Sequence, residues 1–189
     1  LEEEFFRREE ASKLAAYADN KEREPLRKEL AAASGMTDTA VLDKLIDCGI
    51  TAKTMTAVSL VPLVAVAWAD GKIQDNERNA ILQSAKGKGI EEGGPAYEML
   101  SAWLARKPGT ELIRAWEAYI EALDAKLTGE QIKILKRQVM DRARDVAGAA
   151  GGFLGVGRVS SDEEKVLERL ESVFDRRSAS VPSAGDAAD

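Results

Sequence analysis

The sequence predicts an all-α fold, on three observations. Apolar residues recur at three- and four-residue spacing through most of the chain, the period of one helix face. Ser, Thr and Asp stand just before several of those runs, where helix N-caps belong, and Gly or Pro stands between them. No stretch alternates apolar and polar residues between turn signals as a hairpin strand would. The expected architecture is a compact bundle of about eight helices with a charged N-terminal helical arm.

The arm covers residues 1–34 and is dense in Glu, Arg and Lys. Phe5, Phe6, Leu14 and Tyr17 give it a sparse apolar face among opposite charges at helical spacing. Pro25 is read as the opening of a separate short helix, and Ser34-Gly35 as a turn. The expected helical domain spans residues 35–177. Thr37 or Asp38 is placed to cap its first helix, whose inward stripe is Val41, Leu42, Leu45 and Ile46. Gly49 is placed to end that helix in a left-handed conformation.

Residues 51–69 read as one central helix, apolar nearly all round and therefore buried on most sides. Pro62 inside it predicts a kink. A helix over 75–86 follows, then a glycine loop. Pro95 opens a helix to Ala105 with Met99, Leu100, Trp103 and Leu104 inward. Pro108-Gly109 breaks the chain before a helix over 110–126 carrying Leu112, Ile113, Trp116, Ile120 and Leu123. Thr128 and Gln131 form a capping box for the next helix, with Leu127 able to staple to Ile132. Ser160 or Ser161, with Glu163 or Glu164 three residues on, caps the last helix over 162–176. Residues 178–189 are small and polar without periodicity, and are expected to be a disordered tail.

Composition narrows the function classes. The chain has 189 residues and a net charge of −6, which argues against a general nucleic-acid binder, since that needs a basic surface. It contains no histidine, so triads of the Ser-His-Asp kind and the commonest zinc ligand are absent. Its single cysteine, Cys48, sits among apolar positions and reads as a small core residue; the count fits a reducing cytoplasm. The first residues lack signal-peptide character, and the longest apolar run, from Met55 to Ala69, is too short for an integral membrane segment. No glycine loop carries the lysine and Ser/Thr that a nucleotide phosphate needs. Trp68, Trp103 and Trp116 lie on apolar helix faces and read as packing residues.

The most informative segment is Ala69-Asp70-Gly71-Lys72-Ile73-Gln74-Asp75-Asn76-Glu77. A helix ends, glycine turns the chain, and a new helix starts with acids gathered at the bend. Asp70, Gly71, Ile73 and Glu77 match the second half of a calcium loop, but Val66 and Trp68 stand where its first ligands would be, so a standard EF-hand is excluded. Asp70, Asp75 and Glu77 remain candidate ligands for a divalent cation such as calcium or magnesium. The same acids also suit a helix N-terminus without any metal, through the free N–H groups and the dipole. Gly157-Arg158-Val159-Ser160-Ser161-Asp162-Glu163 echoes this corner, with Val156 in place of the acid, and Asp124-Ala125-Lys126-Leu127-Thr128 echoes it more faintly. The echo suggests a duplicated helical hairpin.

With Asp70-Gly71 and Glu77 following an apolar helix, and the later Gly157 to Glu163 corner, the chain resembles the TerB-like domains over roughly residues 42–174. Residues 151–155, Gly-Gly-Phe-Leu-Gly, resemble a variant of that family's last connection. The resemblance implies a compact helical domain of bacterial cytoplasm, linked to tellurite resistance and stress response, with acidic residues that bind divalent cations. Asp70 and Glu77 are the positions that match the acidic motif. The expected function is therefore a non-catalytic, cation-binding module. The alternatives are a protein-interaction scaffold with purely structural acidic corners, recruiting a partner or a second copy through the arm, and a hydrolase working with carboxylates alone.

Overall fold

In the computed structural model, residues 2–149 and 159–176 are described. The side chains of Phe5, Phe6, Leu14 and Tyr17, the segment 150–158 with Val156 and Gly157, and the tail 178–189 lie outside the described residues. Among the described residues the chain is all-helical: α1 (Glu2–Ser34), α2 (Thr39–Asp47), a 3-10 helix (Met55–Leu60), α3 (Val61–Ala67), α4 (Asp75–Gly87), α5 (Pro95–Ala105), α6 (Thr110–Asp124), α7 (Gly129–Ala149) and α8 (Ser161–Asp175). No helix among them is long and apolar enough to cross a membrane.

Two expectations about proline are corrected. Pro25 does not open a new helix but lies inside α1. Lys21 and Pro25 are both exposed, so the carbonyl freed by the missing N–H faces water. Ion pairs to α2 also hold the turns on either side of it: Arg23 Nη1 to Asp47 at 2.7 Å and Arg27 Nε to Asp43 at 2.7 Å. Leu30, one turn further, is fully buried. Likewise, residues 51–69 are not one kinked helix. Pro62 has no N–H to bond back to Val58, and its ring crowds the preceding turn. The α-helix therefore begins at Val61, with proline in its first turn, and the chain before it tightens into the 3-10 helix. Thr54 steadies the start of that segment, its buried hydroxyl accepting from the Thr51 N–H at 2.8 Å.

α3 is short but central. Val61, Leu63, Val64 and Val66 are all buried, and it packs on α6, α7 and α8 as well as on α4. α7 in turn packs on α4 and α8, so the hairpins α3/α4 and α7/α8 lie against each other. α2 packs on α6 and on the second half of α1, and α5 covers the 3-10 helix. Of the tryptophans, Trp116 is buried edge-on to Phe174 with ring centroids 6.1 Å apart. Trp68 and Trp103 are half-buried against the core. Cys48 packs there too, and burial, with the charges of Asp47 and Glu111, raises its thiol pKa and disfavours the thiolate.

Candidate functional site at the acidic corner

The corner between α3 and α4 is built by short-range rules. α3 ends at Ala67, and Gly71 takes a φ of +87°, a conformation that a side chain would strain. Asp70 turns its carboxylate inward along the chain, accepting from the Lys72 N–H at 2.9 Å. The bend is tied to the end of α5 by three bonds to backbone carbonyls. Trp68 Nε1 donates to Trp103 at 2.8 Å, Arg78 to Leu104 at 2.9 Å, and Lys107 to Trp68 at 2.8 Å. Ile73 packs against the core and aims the chain into α4.

The three candidate ligands are placed very differently. Asp70 and Asp75 are exposed, the latter as the first residue of α4. Glu77 is buried, 3% exposed, and reaches back so that its Oε2 accepts from the Gln74 N–H at 2.7 Å. Asp70 is close enough for its charge to act on Glu77. No group of three or more Asp, Glu, Cys or His among the described residues is gathered to hold a metal.

Glu77 instead meets a residue that sequence reasoning did not count as a ligand. Glu163, at the matching position of the echo corner, is 5% exposed. It makes the same bond at the start of α8: the Ser160 N–H donates to its Oε2 at 2.5 Å, and its own N–H donates to Ser160 Oγ at 3.2 Å. The packing of α3/α4 on α7/α8 brings the two capping glutamates together. The Glu77 pKa is pushed up to about 7. Burial is the largest cause, opposed by the Gln74 N–H; the charge of Glu163, that of Asp70 and a hydrogen bond shared with Glu163 all add to the rise. The signal that could have revealed Glu163 was the echo itself, which puts it six residues past Gly157 as Glu77 stands six past Gly71.

The charge of Glu163 beside Glu77 disfavours the ionised form of Glu77. A shared proton or a cation between them relieves the repulsion. The third echo shows the same capping geometry without that problem. Thr128 and Gln131 cap α7 reciprocally at 2.9 and 3.2 Å, but both are exposed and neutral. Compared with known proteins, the chain matches no family model, no curated protein and no solved structure.

Proposed function

We propose that this chain is a non-catalytic, TerB-like binding module that responds to divalent cations, with the Glu77–Glu163 pair as the seat of the response. The observation that carries the reading is the burial of two facing carboxyls, one of which titrates at about 7. Below that pH Glu77 holds its proton. Above it, a cation such as calcium or magnesium takes the proton's place, completed by backbone carbonyls, water and the nearby Asp70. Asp75, exposed on the first turn of α4, serves as an outer charge drawing cations to the corner. A link to tellurite resistance or stress response in a bacterial cytoplasm follows from the same TerB-like reading.

The test is thermal unfolding and calorimetry with calcium, magnesium, manganese and zinc at pH 8 and pH 5. The expected result is a rise in Tm with at least one cation at pH 8, smaller at pH 5 and absent in Glu163→Gln. No heat and no shift for all four metals at either pH ends the cation reading. A scaffold reading then stands in its place. It is favoured by the capping bonds, since each glutamate already uses one oxygen on a backbone N–H with no metal involved. On that reading the charged arm recruits a protein partner or a second copy.

A further inference from the structure

A cavity of about 480 Å³ lies among the 3-10 helix, α3, α6 and α7. Met55 and Val58 of the 3-10 helix, Leu63 of α3, Leu123 of α6 and Leu135 and Val139 of α7 give it an apolar wall. Ala33, Thr56 and Gln138 line it as well and are exposed, so it opens to solvent. Its volume is in the range of small-molecule sites, which are mostly apolar with a few placed polar groups.

The polar groups are the unusual part. Lys88, just past α4, and Arg142, on α7, both line the cavity and are both half-buried. Among the described residues neither side chain has a hydrogen bond or an ion pair, and no carboxylate lines the cavity. Elsewhere, half-buried cations find partners: Arg23 and Arg27 pair with Asp47 and Asp43, Lys136 pairs with Asp175 at 2.6 Å, and Arg78 donates to the Leu104 carbonyl. In a chain with a net charge of −6, two cations left facing one greasy cavity are not short of acids in the molecule at large. They are short of one at this place. Burial, and then the charge of Arg142, lower the Lys88 pKa, so the two cations feel each other and no local anion.

We propose that this cavity binds a small amphipathic anion, an alkyl carboxylate whose chain lies along the apolar wall and whose head group sits between Lys88 and Arg142. The guanidinium of Arg142 suits a carboxylate through paired N–H donors, and Lys88 adds a point charge. Thr56 and Gln138 at the mouth are placed to bond the outer oxygen. The head group supplies the missing counter-charge, and the tail covers apolar surface now facing water.

Calorimetric titration of the full chain with decanoate, decanol and acetate tests this, with decanoate kept below its micelle concentration. Decanoate is expected to bind saturably at one site per chain, decanol about tenfold or more weakly, and acetate not measurably. Lys88→Met and Arg142→Met keep side-chain bulk while removing charge, and each is expected to weaken decanoate about tenfold. Val139→Phe, which fills the cavity, is expected to abolish binding; its circular dichroism and Tm report whether the fold is kept. Equal affinity for decanol and decanoate, binding unchanged in both methionine variants, or no heat from decanoate at all overturns the proposal. So does binding of anionic phospholipid vesicles without decanoate, which would make the face a membrane contact.

Discussion

The molecule holds two like-charged pairs in poorly solvated places, and it treats them in opposite ways. At the acidic corner Glu77 and Glu163 are nearly inaccessible, yet each is bonded to a backbone N–H, and a proton can sit between them. At the cavity Lys88 and Arg142 are half-buried, bonded to nothing among the described residues, and cannot share a proton in any stabilising way. The first pair is largely solved from within, because helix N-termini offer donors to anions. The second is solved only from outside, because among the described residues no carboxylate lines the cavity. Buried like charges thus have one meaning where the backbone answers them and another where it does not.

The wall between the two regions gives the largest expected effect. Trp116 lines the cavity and packs on Phe174 of α8, the helix that presents Glu163. Trp116→Ala should cost about 3–5 kcal/mol in urea unfolding. If it also shifts the pH dependence described next, the two regions are mechanically coupled.

The second effect is the pH dependence of stability from Glu77. Its folded pKa of about 7 lies above its ordinary value, so the folded state holds the proton more tightly than the unfolded chain. Its contribution is present in full at pH 4 and below, and is lost as the pH climbs through 7, a loss on the order of 2–3 kcal/mol. Urea midpoints measured without metal from pH 4 to pH 8 should fall accordingly. Glu77→Gln should flatten the curve, since glutamine keeps an oxygen for the Gln74 N–H and offers its amide to Glu163. An unchanged slope in that variant means another group carries the titration.

Ser160→Ala comes next, removing one side of the α8 capping box at a cost of about 1 kcal/mol. The smallest effect is Lys88→Met. It relieves a repelled, half-solvated cation and should raise stability by ~0.3 kcal/mol after solvent screening. A loss of stability in that variant would mean that Lys88 has an anionic partner after all, and the contrast between the two pairs would fail.

Much of the architecture was legible because it depends on near neighbours in the chain. Asp38 accepts from the Ala40 and Val41 N–H groups, as its place before an apolar stripe implied. Gly49 has a φ of +75°, as a helix C-terminus asks. The Thr128/Gln131 and Ser160/Glu163 boxes close as their spacing requires. The candidate site was legible in part. Glu77 was singled out, but as one of three acids at a bend, without its burial or its partner. Pro25 and Pro62 were misread for opposite reasons. One is tolerated inside a helix because its neighbouring turns are docked on α2 and its own face is wet; the other starts a helix where apolar periodicity alone suggested continuity.

By itself, then, the sequence determined the helices, their caps and the acidic bend, because a capping bond or a helix face spans only a few residues and is written in their order. Tertiary structure alone decided that Glu77 meets Glu163 and that Lys88 meets Arg142 over a greasy cavity. Those meetings depend on how α3/α4 lies against α7/α8, and on the low dielectric that packing creates. A charge's cost is set by what surrounds it, and residues far apart in the chain supply those surroundings.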